Sequence, residues 1–109
     1  MIEINIERGK PYVEDALYEL ETQIRKAAQK GEEILVIIHG YGSTGKGGKI
    51  GKATRELLQD YEREGQIELF VKGEDFDMFN EKARKIKNID DNTLKYYGKG
   101  NYGISIIKT

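Results

Sequence analysis

Ile34-Leu35-Val36-Ile37-Ile38-His39-Gly40-Tyr41-Gly42-Ser43-Thr44-Gly45-Lys46-Gly47-Gly48-Lys49-Ile50 runs from an unbroken aliphatic segment through a glycine-rich loop into a basic and apolar pattern. Five consecutive aliphatic residues predict a central strand covered on both faces. The loop His39–Gly48 then places five of the chain's 13 glycines in ten positions. Glycine is needed where backbone dihedrals are unusual or where a ligand approaches the main chain closely. Beyond it, Ile50, Ala53, Leu57 and Tyr61 recur at helical spacing, so a helix is expected from about Lys49 to Arg63, ended by Gly65. Strand, loop and helix thus read as one unit over Ile34–Thr54, and ligands of open α/β sheets gather at this end of the strands.

Outward from this unit the pattern stays α/β. Ile2, Ile4 and Ile6 alternate with polar residues, which predicts a half-buried strand. Pro11 suits the start of a helix running from about Tyr12 to Gln29. Its apolar stripe is Val13, Ala16, Leu17, Leu20, Ile24 and Ala27, and Gly31 is a natural stop. Ile67–Val71 reads as a third strand. A short third helix carries Phe79, Ala83 and Ile86, with Asp75 or Asp77 as its cap. Asn88–Thr93 is turn-like, Tyr96–Gly103 is a second glycine-rich stretch, and Ile104–Ile107 is the last strand. The order β-α-β-α-β-α-β predicts an α/β two-layer sandwich or a small doubly wound sheet, in one domain spanning 1–109.

Composition narrows the function classes. With no cysteine and one histidine, disulfide frameworks and structural zinc sites are out of reach. No apolar run approaches the roughly 18 residues of a membrane span. Met1-Ile2-Glu3-Ile4 is unlike a signal peptide, so a cytoplasmic protein without membrane attachment is expected. The 18 basic and 19 acidic residues nearly cancel, so only a local concentration of charge could announce a nucleic-acid partner.

Such a concentration occurs at the second helix. Its start carries Lys46, Lys49, Lys52 and Arg55, with no acid before Glu56. Cations at a helix N-terminus oppose the dipole unless an anion lies between them. The first helix follows the ordinary rule, with Glu14 and Asp15 in its first turn and Arg25, Lys26 and Lys30 in its last. An anion site is therefore expected at the loop. Gly40-x-Gly42-x-x-Gly45 matches the dinucleotide fingerprint, but 109 residues leave no room for the second half of that fold. Gly40-x4-Gly45-Lys46 matches most of a P-loop, but Gly47 stands where Ser or Thr should hold Mg²⁺.

A third pattern is a family resemblance. His39-Gly40-Tyr41-Gly42 with Thr44-Gly45-Lys46-Gly47 resembles the H-G-x-G and T-G-x-G motif of the Smr (small MutS-related) domain. Gly100-Asn101-Tyr102-Gly103-Ile104-Ser105-Ile106-Ile107 resembles that family's glycine-rich turn into its last strand, and Val13-Glu14-Asp15-Ala16-Leu17 the start of its first helix. The resemblance implies an α/β sandwich of about four strands and two to three helices, like the C-terminal domain of translation initiation factor three. It also implies binding of DNA or RNA, with DNA nicking or RNA cleavage in several members. Two departures stand out. Where the family often has L-D-L-H-G, this chain has Ile4-Asn5-Ile6-Glu7 before Arg8-Gly9, so Asn5 replaces an acid and Glu7 a histidine. The link between the last two strands is also longer than usual, an inserted helical segment at about 73–95.

The expected function is a nucleic-acid-binding Smr-like domain, with DNA-nicking or RNA-cleaving activity as its enzymatic form. Tyr41, Gly42, Ser43, Thr44, Gly45, Lys46, Gly47, Gly48, Lys49, Lys52, Lys99 and Tyr102 are the expected contacts. His39, Glu7 and Lys46 are the catalytic candidates: His39 as acid or base, Lys46 stabilising charge on the phosphate, and Glu7 as a base or metal ligand. His39 has an equally plain structural role, hydrogen-bonding the loop backbone. Mg²⁺ enters only with nuclease activity; no other cofactor is expected. Lys82, Arg84, Lys85 and Lys87 could extend a phosphate-tracking surface or form a solvated face. The alternatives are a small-molecule phosphate or nucleotide binder with a degenerate P-loop, and a non-catalytic interaction module.

Overall fold

A computed structural model describes residues 1–42 and 48–109. Its elements are β1 (Ile2–Asn5), α1 (Val13–Gln29), β2 (Ile34–Ile38), α2 (Gly48–Arg63), β3 (Leu69–Lys72), α3 (Glu81–Ile89) and β4 (Ile104–Lys108). Two 3₁₀ turns, Gly73–Asp75 and Asp91–Tyr96, flank α3. The four strands form one mixed sheet in the order β1-β2-β4-β3. β1 runs parallel to β2, while β4 is antiparallel to both its neighbours. The last strand therefore fills a central position.

Strand periodicity divides the core in two. Leu35 and Ile37 of β2, with Ile107 of β4 and Phe70 of β3, face α1 and α2. Their partners are Ala16, Leu20, Ile24 and Ala27 on α1, spaced by three and four as a helical face requires, and Leu58 on α2. This is the α/β sandwich. Ile34, Val36, Ile104, Ile106 and Val71 point to the opposite face. There the long 73–97 segment covers them with Phe76, Ala83, Ile86, Tyr96 and Tyr97. Burying an aliphatic side chain of this size contributes roughly 1.5–3 kcal/mol. The aliphatic run of β2 is thus buried from both sides, as its composition demands.

Three details of the third helix differ from expectation. Asn80 is its cap, accepting the Ala83 N–H at 2.9 Å. Asp77 instead closes a local turn by accepting the Phe79 N–H, and Asp75 ends a 3₁₀ turn. Phe79 lies before the helix and is 86% exposed, because the buried stripe is carried by Ala83 and Ile86 alone.

At the outer edge of the sheet, Glu62 of α2 accepts the Phe70 N–H at 2.8 Å and also binds the Lys82 ammonium. A backbone donor that a further strand would use is thereby occupied.

Candidate functional site

The C-terminal ends of the parallel strands β1 and β2 lie side by side, and both chain segments leaving them help to form one cleft of about 860 Å³. One wall comes from the β1–α1 connection, with Glu7, Lys10 and Tyr12. The other comes from Gly42 and the start of α2, with Gly48 and Lys49. His39 closes the base. The predicted contacts Ser43, Thr44, Gly45, Lys46 and Gly47 lie outside the described residues.

His39 is buried, at 2% exposure. It projects toward α2, where a Cβ on Gly51 would come within 2.9 Å of Nδ1. Nδ1 lies 3.2 Å from the Gly40 carbonyl, which can only accept, so Nδ1 carries the proton. Nε2 must then accept from the Ser105 hydroxyl, 3.0 Å away on β4. Burial and the nearby Arg55 charge push the imidazole pKa down to about 4, so the ring is neutral at pH 7. Both ring nitrogens are committed to the protein.

The two glycine-rich stretches meet here. The Gly103 carbonyl accepts both the His39 and the Gly40 N–H, each at 3.0 Å. The Tyr41 ring lies on Gly103, where any Cβ would stand 3.1 Å from the ring edge, and the tyrosine remains 50% exposed. Gly40 has φ +79° and serves a second close approach: a Cβ there would stand 2.6 Å from the Glu7 carboxyl carbon. Glu7 is thus brought beside the His39–Gly40 peptide. It is the one carboxylate among the described residues that line the cleft. Among the described residues no group of three or more His, Cys, Asp or Glu is placed to share a metal ion. Asn5 has a structural task, its Oδ1 accepting the Glu7 and Arg8 N–H groups and closing the end of β1.

The cations sort into two sets. Lys49 and Lys52 are exposed on α2, whose first turn holds no acid. Arg55 does not join them. Its guanidinium binds Glu74 through two bonds of 2.7 and 3.1 Å and the Tyr102 carbonyl at 2.9 Å. The anion expected at the helix start therefore has no claim on Arg55, whose charge Glu74 already answers. Lys99 is exposed in the second glycine-rich stretch, and Tyr102 is 38% exposed beside Gly103. Tyr96 and Tyr97 pack into the second core. On α3, Lys82 pairs with Glu62 and Lys85 with Glu81, Lys87 covers Tyr97, and Arg84 donates to the Met78 carbonyl. They sit with the helix that covers the face away from α1 and α2.

Lys10 and Tyr12 join the site from a segment that sequence reading treated only as a break and a helix start. No local signal marks them, since only the pairing of β1 with β2 brings their segment beside the glycine loop. Lys10 is also the one described non-glycine residue with positive φ, at +50°.

A family model for the Smr domain matches residues 8–74. The chain belongs to the Smr domain family. The matched part of this Smr domain holds the β1–α1 turn, α1, β2, the loop, α2 and β3, hence Lys10, Tyr12, His39 and Lys49 of the cleft. β1, Glu7 and β4 lie outside it. No curated protein and no solved structure gives a significant match to the chain. Among the described residues no helix is long and apolar enough to cross a membrane.

Proposed function

We propose that this Smr domain binds DNA or RNA through the phosphate backbone, in the cleft between the β1–α1 turn and the start of α2. The observation that carries this is that Lys10 of the β1–α1 turn and Lys49 of α2 line one cleft at a helix start without acids. The first turn of α1, by contrast, carries Glu14 and Asp15. A phosphate between the two lysines would reverse the unfavourable interaction of Lys49 with the helix dipole. Lys46, Ser43, Thr44, Gly45 and Gly47 would add contacts from the loop, and Lys52, Lys99 and Tyr102 would extend them.

In this reading His39 is a positioning residue. It ties the loop carbonyl of Gly40 to Ser105 and sets the distance between α2 and the sheet. The endonuclease form of the proposal assigns proton transfer to Glu7, the acid open to the cleft, with Lys46 stabilising charge on the phosphate. If Mg²⁺ takes part, Glu7 and the substrate phosphates would hold it, a sparse protein donor set that this ion accepts.

The test is fluorescence anisotropy with labelled DNA and RNA strands over a salt series. Affinity should fall steeply with salt, and Lys49→Ala, Lys46→Ala and Lys10→Gly should each weaken binding irrespective of sequence. Each should lower the salt slope by about one. Glycine is chosen at position 10 because it relieves the positive φ, so lost binding there is not lost folding. Binding that ignores salt and survives the triple variant would overturn the proposal. Saturation by a single mononucleotide would transfer the site to a small-molecule phosphate ligand. For cleavage, Glu7→Gln should abolish strand scission with Mg²⁺ while leaving binding in place.

A further inference from the structure

Tyr12 does neither of the things that usually keep a residue at its position. It is the N-cap of α1, where Ser, Thr, Asp or Asn would satisfy an open backbone N–H, yet its side chain makes no capping bond. Nor does it bury its ring, which is 81% exposed. It stands on the cleft wall two residues from Lys10. Tyr41 precedes Gly42 of the opposite wall. Its ring rests on the Gly103 backbone, so it is held from one side and half open on the other. Tyr12 thus lines the cleft together with Lys10 and Lys49, and Tyr41, outside the lining itself, adjoins it through Gly42.

We infer that the strand taken by this cleft is unpaired, with its bases stacked on Tyr12 and Tyr41 while Lys10 and Lys49 hold its phosphates. The inference rests on the nucleic-acid reading of the same cleft and specifies its substrate class. In a duplex the base faces are stacked on one another, and only edges and backbone are offered to a protein. Open tyrosine rings gain nothing from such a partner. With an unpaired strand each ring can cover a base face, which is sequence-tolerant because every base has one. Glu7 on the same wall as Lys10 does not oppose this arrangement, since its carboxylate repels a phosphate placed against it and leaves the backbone to the two lysines.

The test compares one mixed-sequence 12-nucleotide strand, as DNA and as RNA, with the same sequence annealed to its complement. Binding is read by anisotropy at fixed salt. The single strand should bind at least tenfold more tightly than the duplex. Tyr12→Ser and Tyr41→Ala should each weaken single-strand binding by roughly five- to hundredfold, the range for loss of one stacked base. Tyr12→Phe and Tyr41→Phe should stay within about twofold of the parent, and duplex binding should not change in any of the four. Tyr12→Ser introduces a good N-cap, so its thermal midpoint should hold or rise and its lost affinity cannot reflect unfolding. The DNA and RNA arms show which backbone is preferred without bearing on stacking. Equal or tighter duplex binding, or full single-strand affinity in both Tyr12→Ser and Tyr41→Ala, would overturn the inference. If the duplex binds with salt dependence and the lysine variants lose it, the phosphate-binding proposal stands and only the unpaired strand falls. If neither form binds, both fall together.

Discussion

A buried histidine with both nitrogens occupied is a structural group that acid can attack. In the folded chain His39 titrates near 4, against 6.5 for a free imidazole. Between those values the unfolded state binds the proton and the folded state does not, so stability rises with pH across this window. The contribution is fully present above pH 6.5 and is lost as pH falls through about 4. The gap corresponds to about 3 kcal/mol at 1.36 kcal/mol for each tenfold change. Since His39 is the only histidine, the test is direct. The carbon-bound protons of its ring should keep their neutral NMR positions down to about pH 4.5, and thermal midpoints should fall between pH 6.5 and 4. Titration of the ring near 6.5 would return it to the solvent-facing acid–base candidates.

At the scale of the element, α2 sits where it does because Gly51 lets its backbone lie against the imidazole. Gly51→Ala would place a methyl group 2.9 Å from Nδ1, in a region where the neighbours are buried and fixed. Overpacking of this kind typically costs about 1–3 kcal/mol. The same substitution should loosen Lys49 from its place opposite Lys10, so chemical denaturation and strand binding should weaken together. The elements themselves are largely legible in the sequence. The aliphatic run 34–38 could only be a central strand, and the stripe from Ala16 to Ala27 could only be a helix facing it. The sequence also groups Tyr102 with the glycine-rich loop as candidate contacts. What sequence could not show was pairing at a distance. Arg55 looked like an anion ligand because Glu74, its partner, is nineteen residues away. Phe79 looked like core because its spacing from Ala83 is helical, yet the helix starts later, at the cap Asn80. Lys10 and Tyr12 escaped notice because strand order, which sets which loops are neighbours, is not written in local periodicity.

For the whole molecule, the family match stops at residue 74, just before Phe76, the largest fully buried side chain. The remainder supplies the cover of the second core and the central strand β4, so the matched portion does not contain the complete sheet by itself. Phe76 packs edge-on against Tyr97 at 5.4 Å and covers strand residues of β2, β3 and β4. Phe76→Ala should cost about 3–5 kcal/mol, read by urea unfolding. Strand binding at low temperature should persist, because the cleft lies across the sheet on the α1 and α2 side. The outer border of the sheet has its own lesson. One carboxylate from Glu62 keeps Phe70 occupied there. Glu62→Ala would bare that amide and free Lys82, turning a closed border into a template on which neighbouring molecules can zip strand to strand. Light scattering that grows with concentration and incubation time in that variant, and stays flat in the parent, is the expected signature of a strand border kept shut by a single side chain.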